Sequence, residues 1–275
     1  MSDMFSLDNK VIVLVGGNGY LGRNFSKAIL EFGGKLHILD INTTENEQVI
    51  ALKRRYPDKH HMHKVDCTRK EQIIATRDSI LAKEKSIDVL INAVLVTYKD
   101  FYNPFEEASL EGWNFGLLGH LTIPFLTIQT FIPVMVKQLR GSIINIASHY
   151  GIVGNDQRIY EGSNLHEVYM KDRPDIKQVY SPGVYNAAKG GLINFTRYLA
   201  AYYGKDNIRV NSISPGGVYH EGENETFVKK YAERTPLGRK ARPDEINGAV
   251  IYLASDASTY VTGHNLVVDG GWTAW

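Results

Sequence analysis

Short apolar runs rich in β-branched residues alternate along this chain with segments of helical period. The alternation limits the fold strongly, because a run that is apolar throughout is typical of a strand buried on both faces. Strands joined by helices pair in parallel, so the pattern predicts an α/β fold with one doubly wound parallel sheet. The predicted strands cover residues 11–17, 35–41, 62–67, 87–94, 141–148, 207–216 and 264–271, and the predicted helices cover residues 20–33, 69–84, 110–139, 185–203 and 243–254. Thr68 is expected to cap the second of these helices.

The bulk composition excludes several classes of protein. The 275 residues are enough for one domain, expected over 1–275, and neither a linker nor an internal repeat divides them. The net charge of +1 provides no strong field for holding nucleic acid or an anionic membrane. The single cysteine, Cys67, excludes an intrachain disulfide and fits a reducing compartment. The sequence shows no signal peptide and no stretch of roughly 18–20 apolar residues, so we expect a cytoplasmic protein.

A glycine-rich turn, GGNGYLG, follows the first predicted strand directly and opens the first predicted helix. Its three spaced glycines permit a tight turn, a close approach of backbone to phosphate, and close contact between helix and strand. The N-terminal amides of the helix would then point at a bound pyrophosphate. Glycines also serve as plain turns, but this position between strand and helix favours a dinucleotide site. The expected binding residues are Gly16, Asn18, Gly19, Tyr20, Leu21 and Gly22.

Asp40 ends the second predicted strand, 18 residues after Gly22. A carboxylate at this position accepts hydrogen bonds from the ribose hydroxyls of the cofactor and repels a 2′-phosphate. No arginine or lysine stands beside it in LDINTT. We therefore expect NAD in preference to NADP. The alternative for Asp40 is a solvated strand end.

With Ser148 in NIASHYG, and Tyr185 and Lys189 in YNAAK, the sequence resembles the short-chain dehydrogenase/reductase family over nearly its whole length. The other motifs that carry the resemblance are VDCT (65–68), LINAV (90–94), NIRVNSISPGG (207–217), RPDE (242–245) and VTGHNLVVDGG (261–271). The resemblance implies a Rossmann-type fold. It also implies an enzyme that transfers hydride between a nicotinamide cofactor and a secondary alcohol or ketone.

Tyr185 and Lys189 are four residues apart, which places them on one face of a helix. A nearby ammonium favours the phenolate and lowers the pKa of a tyrosine from its ordinary value near 10. The resemblance implies that Ser148 binds the substrate oxygen and that Tyr185 is the acid and base. Lys189 would lower the pKa of Tyr185 and bind the nicotinamide ribose. The alternative is an amphipathic tyrosine beside a snorkelling lysine, which the glycine turn, Asp40 and Ser148 disfavour.

The resemblance implies further cofactor contacts at the ends of the later strands. The adenine would lie along the residues after the third strand, and the nicotinamide would lie against those after the sixth. For Asn92, a structural amide is an equal alternative to a cofactor contact. The residues expected here are Asp66, Cys67, Asn92, Ala93, Val94, Pro215, Gly216 and Val218.

Three residues depart from the family's usual pattern. Tyr20 and Val94 stand where glycines are common. His120 stands where an asparagine normally holds a helix kink and a water of a proton relay. Since the ordinary pKa of histidine is about 6.5, His120 can bind a water or move a proton and is a candidate catalytic residue. The alternative is a buried structural histidine.

Ser148 and Tyr185 are 37 residues apart, against about a dozen in most members of the family. The extra residues, 152–182, show no clear period, and loops this long are usually functional or disordered. ASHYGIVGNDQ and RIYEGSN resemble a branch with flagellin-modification oxidoreductases of legionaminic-type sugar pathways. That resemblance implies an amino sugar or sugar nucleotide of surface-glycan biosynthesis as substrate. Candidate substrate contacts in the insert are Arg158, Glu161, Asn164, His166, Lys171 and Arg173.

Other functions stay open on the sequence. One is a reductase of 3-oxoacyl thioesters or other carbonyls, and another is a non-catalytic nucleotide-binding scaffold. The expected partner is a small-molecule substrate, without nucleic acid, membrane or a metal at the site. The resemblance also implies a homodimer or homotetramer paired through helices 110–139 and 185–203. The tryptophans of the final GWTAW suit either a subunit contact or packing on their own chain.

Overall fold

The computed structural model describes residues 4–169, 175 and 177–275. Its strands are β1 (Val11–Val15), β2 (Lys35–Asp40), β3 (His60–Lys64), β4 (Val89–Asn92), β5 (Gly141–Ile146), β6 (Ile208–Pro215) and β7 (Asn265–Val268). They form one parallel sheet in the order β3-β2-β1-β4-β5-β6-β7, which confirms the predicted doubly wound fold. The direction of winding reverses between β1 and β4, and ligands of such sheets bind at this reversal.

Helices cover both faces of the sheet, and each of the five predicted helical regions contains a helix. The helices of the described residues are α1 (Tyr20–Glu31), α2 (Glu47–Arg55), α3 (Lys70–Glu84), α4 (Leu110–Leu117), α5 (Ile123–Gln138), α6 (Leu165–Tyr169), α7 (Gly183–Tyr203), α8 (Glu225–Glu233) and α9 (Asn247–Ala254). Of these, α2, α6 and α8 were not predicted. A π-helical turn, Leu118–Thr122, joins α4 to α5 inside the helix predicted over 110–139. A 3-10 turn, Pro243–Ile246, begins the helix predicted over 243–254.

Alternate residues of β1 enter two separate cores. Ile12 and Leu14 pack with α1 and α9 on one face of the sheet. Val11, Val13 and Val15 pack with α3, α5 and α7 on the other. All five side chains are buried, which explains why this strand is apolar at every position.

The helical stretch Leu110–Gln138 has the length and composition to cross a membrane, with a mean hydropathy of 1.4. Length and composition alone do not distinguish a membrane span from a core helix of a globular protein, and half of the most apolar 18-residue window of this stretch is buried inside the structure. Phe131 and Met135 are fully buried against the sheet, in the core that contains residues of α3 and α7. These are the contacts of a helix that packs in a globular core.

The insert, residues 152–182, contains a 3-10 turn, Gln157–Tyr160, and the short helix α6. It is fastened to α8, because the Lys230 ammonium donates to the carbonyls of Arg158 (3.0 Å) and Glu161 (2.8 Å). Its other end is fastened near α7, where the Gln157 side chain exchanges two hydrogen bonds with the backbone of Ser181. The described part of the insert is thus a folded layer beside the start of α7.

Candidate active site

Ser148, Tyr185 and Lys189 meet beside the carboxyl end of β5. Ser148 follows that strand, and the other two residues lie one turn apart at the beginning of α7. The Ser148 hydroxyl lies close enough to the Tyr185 phenol to lower the pKa of that phenol, and it accepts from the backbone amide of Tyr150 at 3.1 Å. Ser148 and Lys189 are buried, while Tyr185 is partly exposed. The structure therefore brings the three predicted catalytic residues together across a 37-residue separation.

Lys189 lies beneath Tyr185. Its ammonium donates to the carbonyl of Ile146 at 2.7 Å and stands 5.6 Å from the centre of the Tyr185 ring. Burial lowers the pKa of Lys189 to about 7, because a desolvated ammonium is disfavoured. The side chain thus exchanges a proton most easily near neutral pH.

The predicted lowering of the Tyr185 pKa by Lys189 is wrong for the chain alone. Burial raises the pKa of the phenol above its ordinary value, and the hydrogen bond with Ser148 opposes that rise. The chain alone therefore keeps Tyr185 protonated at neutral pH.

His120 lies in the π-helical turn and is fully buried. Its ring stands edge-on to the ring of Tyr185, with 5.1 Å between ring centres. Burial, and then the charge of Lys189, lower the pKa of His120 to about 3, so the imidazole is neutral at pH 7. Nε2 lies 3.1 Å from the carbonyl of Val96 and donates to it. Among the described residues Nδ1 has no hydrogen-bond partner, which leaves a buried lone pair near the phenol.

The glycine turn forms a cradle that fits a dinucleotide. Gly16 has a φ of +78°, and a Cβ there would stand 2.8 Å from the carbonyl oxygen of Ala93. A Cβ on Gly22 would collide with the backbone of Gly16. Gly19 precedes α1 and carries no side chain, so the first amides of that helix are open to an anion. When bound, the pyrophosphate of the cofactor would be held by this backbone.

Asp40 fastens the glycine turn to the end of β2. Its Oδ2 accepts from the backbone amide of Asn18 at 2.9 Å, and its Oδ1 accepts from the amide of Asn42 at 3.0 Å. The Asn18 side chain donates to the carbonyls of Asn42 (2.8 Å) and Thr44 (3.1 Å), while its Oδ1 is buried without a partner among the described residues. Arg23 was not predicted as a site residue from the sequence; it donates to the carbonyl of Asn18 at 2.7 Å.

Tyr20, which replaces a common glycine, crosses from the glycine turn to the segment after β6. Its hydroxyl donates to the carbonyl of Tyr219 at 2.5 Å, and its ring lies 4.7 Å from that of His220. Leu21 packs on the core, so a cofactor contact by that residue would have to use its backbone.

Of the other residues predicted to bind the cofactor, some lie at the cleft and others are buried in the protein interior. Asn92 is a structural amide, because its Nδ2 donates to Asn145 (2.9 Å) and its Oδ1 accepts from Thr127 (2.7 Å), all buried. Cys67 is buried in the core, and burial raises the pKa of its thiol to about 12. Asp66 accepts from the hydroxyl of Thr68 at 2.7 Å.

Five of the expected residues lie at the ends of β4 and β6, beside the glycine turn or after it in the sheet. The backbone atoms of Ala93 and Val94 lie directly against Gly16, because a Cβ added to this glycine would contact them. Gly216 lies against Asp269. The carbonyl of Pro215 accepts from the His149 imidazole at 2.9 Å. Val218 pairs with Ala241 in an isolated bridge and packs partly on the core.

An aromatic cluster beside Tyr185 escapes sequence reasoning, because the folded insert assembles it. Tyr160 of the insert stacks on Phe227 of α8 with 5.3 Å between ring centres and approaches Tyr185 closely enough to raise its pKa. The hydroxyl of Tyr150 is buried without a hydrogen-bond partner among the described residues. Trp272 stacks on Tyr231 at 4.3 Å, so this tryptophan packs on its own chain; Trp275 is 79% exposed.

The candidate polar contacts of the insert do not converge on one site. Arg158 pairs with Asp156 at 2.8 Å, Glu161 is exposed, and the Asn164 side chain is hydrogen-bonded to those of Glu167 and Asn224. Nδ1 of His166 is buried without a partner in the described part of the chain. The last two candidates, Lys171 and Arg173, lie outside the described residues.

A glycine cradle at the switch point of a parallel sheet, beside a Ser–Tyr–Lys set, defines a nicotinamide-dependent oxidoreductase. Residues 10–163 match the family described as short chain dehydrogenase. Residues 175–273 match the family described as Enoyl-(Acyl carrier protein) reductase. The chain belongs to the short-chain dehydrogenase/reductase family and is an oxidoreductase that acts on alcohol or ketone groups.

Known relatives cover nearly the whole chain. A cyclopentanol dehydrogenase of Comamonas testosteroni is 30% identical over 279 residues, which span 98% of this chain and 100% of the relative. A D-threitol dehydrogenase of Mycolicibacterium smegmatis is 30% identical over 276 residues, with 98% and 95% covered. A 3-oxoacyl-[acyl-carrier-protein] reductase of Chlamydia trachomatis is 30% identical over 271 residues, with 96% and 98% covered.

Solved structures of both cofactor types resemble this chain. A short chain dehydrogenase of Leptospira borgpetersenii with bound NAD+ is 30% identical, with a TM-score of 0.84 and 99% and 96% of the two chains covered. A gluconate 5-dehydrogenase of Burkholderia cenocepacia in complex with NADP and tartrate is 26% identical, with a TM-score of 0.82 and 99% and 98% covered. The fold thus holds a nicotinamide cofactor, and the choice between NAD and NADP depends on local residues.

Proposed function

We propose that this chain is an NAD-dependent dehydrogenase or reductase of a polyhydroxylated substrate, an amino sugar or sugar nucleotide of surface-glycan biosynthesis. The observation that carries the proposal is the contact of Ser148, Tyr185 and Lys189 beneath a layer of phenol groups that the insert completes. Phenol hydroxyls suit a substrate with several hydroxyl groups better than a hydrocarbon chain. The D-threitol dehydrogenase among the relatives acts on a polyol, which agrees with this choice.

NAD held by the glycine turn and Asp40 would supply the hydride acceptor for the carbinol carbon, and the chain's own residues would then remove the proton from the carbinol oxygen. Ser148 would hold that oxygen through its hydroxyl, and Tyr185 would take the proton in its phenolate form, returning to the phenol. The phenol must first give its own proton to the proton path, and the buried Lys189, with a pKa of about 7, can accept that proton and as an ammonium stabilise the phenolate. The His120 ring stands edge-on to the Tyr185 ring, a position from which it would hold a water of the proton path.

A substrate panel tests the proposal directly. The purified chain is assayed with NAD and NADP against polyols, amino sugars, sugar nucleotides and 3-oxoacyl thioesters. We expect the highest kcat/KM for an amino sugar or sugar nucleotide. Preferred turnover of a thioester would support the carbonyl-reductase alternative instead. NAD binding without turnover of any compound would support the nucleotide-binding scaffold.

Asp40→Asn should weaken the preference for NAD over NADP by about tenfold or more, a change of about 1.4 kcal/mol. The amide keeps an oxygen acceptor for a backbone amide of the turn but removes the charge that repels a 2′-phosphate. Thermal shifts with each cofactor measure the change. Glu45→Gln, a nearby surface carboxylate paired with Lys53, is the matched control. A wild type that is stabilised more by NADP than by NAD would overturn the proposed cofactor choice.

Tyr150→Phe should raise the KM for the substrate about tenfold while leaving kcat within about threefold. The hydroxyl is buried beside the phenols of Tyr160 and Tyr185, and burial together with these neighbours raises its pKa, so it stays a neutral donor for a substrate oxygen. Because only one hydroxyl is lost, the stability of the variant to urea should stay within about 1.5 kcal/mol of the wild type. Tyr203→Phe, at the far end of α7, is the control. An unchanged KM would remove Tyr150 from the substrate site.

We also propose that the chain assembles as a homodimer or homotetramer in the cytoplasm. A row of aromatic side chains on α5 and α7 supports this assembly, because the side chains stack on one another and several are exposed. Phe125 faces Phe195 at 6.4 Å between ring centres, and Tyr198 and Tyr202 extend the row. Tyr198 is 59% exposed, an unusual position for so large an apolar surface on a free helix face.

A further inference from the structure

Three histidines lie together on one face of the sheet at its β3 edge. The parallel register places His37 of β2 opposite His61 of β3, and Leu39 opposite His63. The ring of His37 lies 4.7 Å from that of His61 and 5.3 Å from that of His63. The catalytic chemistry described above uses none of these side chains.

The carboxylate of Glu84, at the end of α3, closes the same cluster. Its Oε1 stands 3.6 Å from Nε2 of His37, and its side chain is only 4% exposed. Its Oε2 accepts from the ammonium of Lys35 at 2.8 Å, which fixes the orientation of the carboxylate. One ligand atom each from His37, His61 and Glu84 lies within 4.8 Å of the other two.

The hydrogen bonds within the cluster leave the lone pair on Nε2 of His37 available to bind a cation. Nδ1 of His37 bonds Nε2 of His63 at 3.1 Å, so His63 can hold the His37 ring in the tautomer with a bare Nε2. That Nε2 is buried without a partner among the described residues, and His37 is 1% exposed.

A lysine already places its positive charge beside the histidine and glutamate side chains. The ammonium of Lys83 lies 2.9 Å from Nε2 of His61 and 3.9 Å from Oε1 of Glu84. An ammonium can only donate, so the His61 nitrogen presents its lone pair to it. The Lys83 side chain is 56% exposed and can turn outward into solvent. The cluster therefore offers two imidazole nitrogens and a carboxylate oxygen to one exchangeable cation.

We propose that His37, His61 and Glu84 bind one divalent transition-metal ion, with Zn²⁺ the best match. Two imidazoles and one carboxylate are a common ligand set for zinc, with a fourth position left for water. His63 acts as the orienting partner of His37, and Lys83 as the cation that the metal displaces. The ion would join β2 to β3 and α3 at the edge of the sheet, so its role is to stabilise that edge.

Zinc titration of the chelator-treated full chain, without NAD or substrate, tests the site. By calorimetry the wild type should bind one Zn²⁺ per chain, with a rise in Tm. His61→Ala should bind it at least about tenfold more weakly, because a ligand is lost. Lys83→Met should bind it about tenfold more tightly, because the competing ammonium is gone. His264→Ala, at an exposed histidine before β7, should match the wild type.

The Lys83→Met variant separates a metal site from a structural ion cluster. If Lys83 were itself the structural cation, its removal would lower stability and leave zinc affinity unchanged. Absence of stoichiometric zinc binding by the wild type, or unchanged affinity in either cluster variant, would overturn the proposal. Because Lys83 is exposed, its variant keeps the test valid even if His61→Ala does not fold.

Discussion

Tyr185→Phe should lower kcat/KM by about 10²–10⁴-fold while NAD affinity stays within about threefold of the wild type. The phenol is the group that hydrogen-bonds Ser148 beside the buried ammonium of Lys189, and phenylalanine keeps its ring but cannot carry the proton. The loss is equivalent to about 3–5 kcal/mol of transition-state stabilisation. Initial rates and cofactor titrations of the same preparation measure both quantities.

Tyr203→Phe at the other end of α7 is the matched control for this substitution, because it also removes one phenol from the same helix. It should keep full turnover. Full turnover in Tyr185→Phe, with NAD still bound, would show that Tyr185 is not the proton-transfer group.

Lys189→Met should also reduce kcat/KM by about 10²-fold or more, and it should stabilise the folded chain at neutral pH. The pKa of the buried ammonium falls from 10.5 to about 7 on folding, so the unfolded state binds the proton more tightly. Stability from this group is therefore greatest above pH 10.5 and falls as the pH drops toward 7. The expected slope is at most about 1.4 kcal/mol per pH unit.

Urea unfolding of wild type and Lys189→Met between pH 6 and pH 10 isolates this contribution, because all other groups are shared. The advantage of the variant should grow as the pH falls from about 10 to about 7 and stay constant below that range. A difference that does not vary with pH would show that Lys189 keeps its ordinary pKa in the folded chain. The loss of turnover would then have to come from cofactor positioning.

The sheet, the glycine turn and the catalytic set can be predicted from sequence because each depends on local requirements. A strand buried on both faces must be apolar throughout, as β1 is. The turn needs glycine wherever a Cβ would meet backbone, as at Gly16 and Gly22. Ser148 and Tyr185 are identified by their motifs although the insert separates them.

Other features escape prediction because tertiary contacts decide them. The helices α2 and α8 are each only nine residues long and bury two side chains, so they are too short to show a sustained helical period. Thr68 does not cap α3, because its amide and hydroxyl both bond the Asp66 carboxylate, and α3 begins after Arg69. The approach of Tyr160 to Tyr185 depends on how the insert folds, and the histidine cluster depends on the register between β2 and β3.

The π-helical turn around His120 fixes the orientation of the imidazole toward Tyr185. Each residue of an α-helix turns the backbone by about 100°, and a single wide turn accommodates one residue more than a regular helix would. Deleting one residue from Leu118–Thr122 would let α4 run straight into α5 and rotate the imidazole away from Tyr185. The wide turn therefore sets the position of the histidine at the catalytic tyrosine, whereas the nucleotide cradle lies between β1 and α1.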